Sequence, residues 1–180
     1  DKLLQIINQL NSEDFDVINL SIHDSKEEDF YWYKYFLAVG EKALLNKYFD
    51  IMIEATSNFD KYNVLSHIDY GFKTVYLVNN KIKISVFEEK IKRVFINLIN
   101  HNKALEINTK VQEAINDINH TKYLLSLYRQ MGGEKVTLSS DAHSKERYLS
   151  NFDYYKNIIK ECGFNYLVYF VKQKEYHYSI

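Results

Sequence analysis

Four short segments carry side chains able to bind a metal ion or a phosphorylated molecule: His23-Asp24, His67-Ile68-Asp69, Asn108-Thr109-Lys110 and Asp141-Ala142-His143. Each closes a short apolar run, and each lies at the downstream end of it. Neutral imidazole and carboxylate together form a ligand set for zinc, manganese or iron. A divalent ion held this way polarises a phosphoryl oxygen and makes water acidic near neutral pH, the chemistry of phosphoester hydrolysis. Taken singly, the residues say little. A histidine at a strand end often only hydrogen-bonds a loop, and an aspartate such as Asp141 often caps a helix. Chance would scatter polar groups over both ends of the apolar runs, so their placement at one end points to a shared site.

The elements that must position these groups alternate in type. Residues 1 to 10 place Leu3, Leu4, Ile6, Ile7 and Leu10 at the spacing of a helix face packed on a core. Strands are expected at 15 to 23, 63 to 70, from 104, and 135 to 143, each rich in β-branched and apolar residues. Helices are expected at 29 to 56, where Gly40 interrupts the pattern, and at 87 to 101, where Phe87, Ile91, Val94, Phe95, Leu98 and Ile99 recur every three to four residues. Two more are expected at 117 to 131, closed by Gly132-Gly133, and at 152 to 162, closed by Gly163. Residues 73 to 84 suit either a hairpin about Asn79-Asn80 or an irregular excursion. An apolar run at 166 to 173 and a short tail, EYHYSI, close the chain. Alternating strands and helices of this length predict an α/β fold with a parallel sheet and crossover helices. In such folds the site gathers at the C-terminal strand ends, which would bring the four polar segments together.

Composition narrows the functions this scaffold can serve. The chain has 180 residues, with 23 Lys and Arg against 24 Asp and Glu and no dense basic run, which argues against a nucleic-acid footprint and leaves a small charged substrate open. No apolar run approaches the ~20 residues of a membrane helix, so no membrane partner is expected. A lone Cys162 points to a reducing, cytoplasmic setting. The opening helix does not read as a signal peptide, and the chain starts without Met, so it is expected to be a fragment. His101, His120 and His177 are expected at the surface, without function.

The segments DVINLSIH, VLSHIDYGF, LEINTK and VTLSSDAH, in that order, resemble the later strands of histidinol-phosphatases of the PHP superfamily, and the closing stretch KECGFNYLVYFVKQKEYHYSI resembles that family's C-terminus. The resemblance implies a distorted, TIM-like (β/α)7 barrel of the PHP type, of which residues 1–180 would be the C-terminal portion with about four of seven strands. It implies metal ligands at His23, His67, Asp141 and His143, with Asp141 and His143 also catalytic. Asn108 and Lys110 fall where the family places residues close to the substrate, and Lys73 or Arg147 is expected to meet a phosphate. The implied activity is hydrolysis of histidinol phosphate to histidinol and phosphate in histidine biosynthesis, at a site that is trinuclear in the complete domain. The family's N-terminal HxH pair, its next metal-binding position, a histidine on the second strand and a glutamate on the third have no counterpart here. Two alternatives follow: a PHP phosphoesterase for another small phosphate, and a catalytically incomplete binding remnant. Oligomeric state is not readable.

Overall fold

The computed structural model describes residues 2–12, 14–24, 40–78 and 81–180. Helix α1 (Lys2–Ser12) forms as its periodicity predicts, although Ile6 is half-exposed. The expected long helix starts outside the described residues. Its described part, α2 (Glu41–Asn58), begins after Gly40, whose φ of 78° suits glycine far better than an L side chain. One face of α2, from Leu44 and Leu45 through Tyr48, Phe49, Met52 and Ile53, is buried.

Four parallel strands make a sheet in the order β1 (Asn19–Leu20), β2 (Val64–Leu65), β3 (Ala104–Asn108) and β4 (Val136–Ser139). Sheet order follows chain order, as successive βα units produce. Strand β3 has neighbours on both sides and all five of its residues are buried, which is why it reads as an apolar run interrupted by Glu106 and Asn108. The expected four parallel strands are therefore present. Among the described residues, however, the sheet is open, with β1 and β4 each paired on one side, so the expected barrel is not closed.

Between β2 and β3 the chain forms α3 (Tyr70–Val78), a 3-10 turn (Ile84–Phe87) and α4 (Glu88–Asn100). The hairpin considered for 73 to 84 is thus replaced by helix over its first part, and Asn79-Asn80 lie outside the described residues. Tertiary packing overrides the β-branched composition here: Phe72 and Val75 are fully buried, and a Cβ on Gly71 would sit 3.0 Å from the Tyr48 ring. Glu88 and Glu89 favour the N-terminus of α4 through the helix dipole, and Ile91, Val94, Phe95 and Leu98 bury its other face.

After β3 come a short helix α5 (Thr109–Ile115), absent from the sequence expectation, and α6 (Ile118–Gln130). Asn108 caps α5 by accepting from the Val111 N–H at 3.1 Å, and Asp117 caps α6 by accepting from the Asn119 N–H at 3.0 Å. A second 3-10 turn (Lys145–Arg147) and α7 (Phe152–Glu161) follow β4. The chain ends in an antiparallel hairpin, β5 (Tyr166–Val171) and β6 (Lys174–Ser179), so the expected tail is in fact a strand. Val168 of the hairpin packs on Val64 and Ala104 at the start of β2 and β3. The main core lies between the sheet and the helices, around a Phe49, Phe72 and Phe87 cluster with centroids 5.7 to 6.2 Å apart.

Candidate functional site

The C-terminal ends of all four strands open onto one cavity of about 720 Å³. From β1 and its exit it receives Asn19, Ser21 and His23; from β3 and its exit, Glu106, Asn108 and Lys110; from β4 and its exit, Ser139, Asp141 and His143. Within the strands, Asn19, Glu106, Asn108 and Ser139 face the cavity by the two-residue alternation, whereas Lys110 enters from the first turn of α5 and Ser21, His23, Asp141 and His143 from the segments that follow β1 and β4. β2 departs from the alternation. Ser66 and His67 both line the cavity although adjacent, because His67 takes a φ of 27° and turns the chain. Tyr70 and Lys73, one turn apart on α3, complete the wall.

His67 is buried, and its surroundings fix it on three sides. Its N–H donates to Glu106 Oε2 at 2.7 Å, while its carbonyl accepts from the Tyr48 hydroxyl at 3.1 Å and from the Tyr70 N–H at 2.8 Å. Burial, and next the neighbouring His23, lower its imidazole from the usual 6.5 to about 4. It is therefore neutral at neutral pH, with a lone pair available. His23 Nε2 lies 3.2 Å from His67 Nε2, and the His23 ring stacks on Tyr70 with centroids 4.8 Å apart. Two nitrogens on one tetrahedral zinc, each at its usual bond length, would stand roughly 3.3 Å apart. The pair therefore fits two ligands of a shared ion. His67 Nδ1 is buried without a hydrogen-bond partner among the described residues.

The β4 side is open to solvent. The His143 side chain is 72% exposed and that of Asp141 39%. Lys110 Nζ lies 2.6 Å from His143 Nδ1 and 3.4 Å from Asp141 Oδ2. The same Nδ1 lies 2.9 Å from the Asp141 carbonyl oxygen, so it faces a donor and an acceptor together. Asp141 also takes a positive φ, 44°, where the chain leaves the sheet. Lys73 is lowered from its ordinary value by partial burial and then by Lys110, with Asp141 opposing. Two lysines thus share one wall, an arrangement suited to an anion. Among the described residues, no group of three His, Cys, Asp or Glu side chains is assembled to hold a metal ion by itself.

Of the residues singled out from the sequence, His23, His67, Asn108, Lys110, Lys73, Asp141 and His143 share the cavity. Arg147 does not line it: its guanidinium donates to Glu113, whose carboxylate also accepts from Asn151 at 2.5 Å. Asp24 is absent from the lining, and Asp69 points the other way, into the core. There, buried Asp69 accepts from Gln112 Nε2 at 2.6 Å and lies 3.1 Å from His120 Nε2. His120 is accordingly 2% exposed, which overturns its expected surface position. His101 and His177 are exposed. The sequence reading missed Glu106, a buried carboxylate raised by burial against the opposing effect of three hydrogen bonds. The available signal was a lone glutamate inside an apolar strand, two residues before Asn108 and so on the same face.

No protein-family model matches the chain. It is similar to the histidinol-phosphatase of Lactococcus lactis, 26% identical over 170 residues, which cover 93% of this chain and 63% of that protein. It is also similar to the probable histidinol-phosphatases of Thermotoga maritima, 27% identical over 107 residues (59% of this chain, 44% of that protein), and of Clostridium acetobutylicum, 25% identical over 147 residues (82% and 56%). Its fold is similar to the crystal structure of the L. lactis histidinol phosphate phosphatase complexed with zinc, L-histidinol and phosphate, with a TM-score of 0.85 at 24% identity, covering 96% of this chain and 66% of that one. The chain spans less than two thirds of the length of each of these proteins. Among the described residues, no helix is long and apolar enough to cross a membrane.

Proposed function

We propose that the cavity belongs to a metal-dependent phosphomonoesterase that hydrolyses L-histidinol phosphate to histidinol and phosphate, a step of histidine biosynthesis. The observation that carries this reading is the facing pair of imidazoles, His23 and His67, at metal-ligand separation in a cavity whose wall also bears two lysines. The similarity to histidinol-phosphatases supplies the substrate.

In this reading His23 and His67 hold a divalent ion such as zinc, Asp141 and His143 provide further ligands or catalytic groups, and the remaining ligands of a trinuclear centre come from outside the described residues. The same reading takes the four-stranded parallel sheet as part of a (β/α)7 barrel. Bound divalent cations contribute polarisation of the phosphoryl oxygens and a more acidic water. The chain's own side chains account for the rest. Lys73 and Lys110 bind the phosphate dianion and offset charge as it redistributes over the phosphoryl oxygens. Asn108, fixed by its bonds to Glu106 and to the Val111 N–H, presents the base of the cavity to the substrate. His143, on the open β4 side of the cavity, stands where an imidazole could give a proton to the oxygen leaving phosphorus.

Phosphate release from L-histidinol phosphate and from a panel of other small phosphomonoesters, with zinc and after chelation, tests the proposal. A clear preference for histidinol phosphate that disappears on chelation is expected; equal rates across the panel would leave the phosphoesterase reading and remove this substrate. A second reading, a catalytically incomplete binding remnant, draws on the absence of a complete metal group among the described residues. It predicts no bound metal and no phosphate release from any ester.

A further inference from the structure

We infer that Glu106 is a positioning residue, which sets the separation of the His67 and Asp141 strand ends by bridging them through its two carboxylate oxygens. This rests on the reading of the cavity as a metal site and goes beyond it by assigning a residue that is not itself a ligand. Strands β2 and β4 share no hydrogen bonds, because β3 lies between them. Their exits are nevertheless linked through this one side chain. Oε2 accepts from the His67 N–H at 2.7 Å, and Oε1 accepts from the Ser139 hydroxyl at 2.6 Å, two residues before Asp141.

Three features favour positioning over direct ligation. Both oxygens already have donors, and Oε2 takes a second one from Asn108 Nδ2 at 3.4 Å. The side chain is almost wholly buried at the base of the cavity, among the polar groups it orders. His67 is held at a φ of 27°, a backbone conformation that L residues rarely adopt and that persists only when surrounding bonds enforce it. The bond to Glu106 is one of those that do so, and it aims the imidazole at His23.

Two variants give opposite rankings under the two roles. Glu106→Gln keeps the reach, since its carbonyl can accept from the His67 N–H while its amide donates to Ser139 Oγ. Glu106→Asp keeps the charge and, one methylene shorter, cannot span both partners. Zinc affinity of the full-length protein, measured by competition with a chromophoric chelator alongside the unfolding midpoint, should stay within about threefold of wild type for Gln and weaken roughly tenfold or more for Asp, as for groups that orient metal ligands. A lone fall in the unfolding midpoint, with zinc affinity unmoved in both variants, would overturn the positioning role, and so would the reverse ranking, Asp above Gln. His67→Ala separates this result from failure of the site itself. If that variant binds zinc as tightly as wild type, the metal-site reading falls and the role of Glu106 falls with it; if it loses zinc, the ranking of Gln and Asp decides for Glu106 alone.

Discussion

The two sides of the cavity are built on different principles. On the β2 and β3 side, His67, Glu106 and Asn108 are buried and bound to one another and to the backbone. Behind them the buried Asp69, His120, Gln112 and Thr121 form a second layer of hydrogen bonds. On the β4 side, Asp141 and His143 stand in solvent, held to the wall by Lys110, while the chain after them is clamped to α5 through Glu113 and through Thr109, whose hydroxyl donates to the Ser150 carbonyl at 2.9 Å. Buried hydrogen bonds to charged groups are worth more than exposed ones, and an exposed ion pair contributes little to stability. Buried hydrogen bonds thus fix the β2 and β3 half in the folded chain, whereas the β4 half is held by exposed contacts that, in the proposed reading, a phosphate dianion would replace.

The contrast breaks most visibly if the exposed half proves dispensable. His143→Ala is expected to lower turnover of L-histidinol phosphate by roughly a hundredfold to ten-thousandfold, the range for loss of a proton-transferring group. Its unfolding midpoint should stay near that of wild type, because the side chain buries so little. Intact turnover would remove His143, and with it the β4 exit, from the active site.

The buried half makes a smaller prediction with a definite sign. Unfolded, the His67 imidazole titrates near 6.5; folded, burial holds it at about 4. Between those values the unfolded chain binds a proton that the folded chain does not, so stability is fully present above pH 6.5 and is lost as the pH falls toward 4. The loss attributable to this group is about 3 kcal/mol. Urea denaturation of chelator-treated protein across that window, compared with His67→Asn, should show the variant with a distinctly flatter slope. Equal slopes would mean that His67 is not held neutral by burial.

How much of this could be read beforehand depended on whether a local pattern or a distant partner decided the outcome. The strand-end placement of His23, His67, Asn108 and Asp141 was legible because parallel βα units put all C-terminal ends on one side. The apolar periodicity of α4 was legible for the same kind of reason. The hairpin of β5 and β6 was not: its turn residues, Lys172 and Gln173, take φ values of 48° and 60° without the Asn or Gly that usually announces such a turn. Stacking of Tyr169 on Tyr176 across the pair helps to hold it. His120 could not be placed because its partner, Asp69, lies far away in sequence and meets it only once α3 and α6 pack. The pairing of Arg147 with Glu113 on α5 was hidden for a similar reason, since the two lie far apart in sequence.

The smallest expected effect tests the exposed half from its other side. Among the described residues Lys110 makes no buried bond: its ammonium meets Asp141 and His143 at the mouth of the cavity, where water screens the pair. Lys110→Met keeps most of the side-chain length and removes the charge, so stability should change by less than about 1 kcal/mol. The same substitution takes away one of the two cations facing the phosphate. It should raise KM for histidinol phosphate and weaken competitive inhibition by inorganic phosphate, each by roughly tenfold, the scale of one charge-assisted hydrogen bond. A stability loss of several kcal/mol would place Lys110 with the buried half, and unchanged phosphate inhibition would leave Lys73 as the cation that recognises the anion.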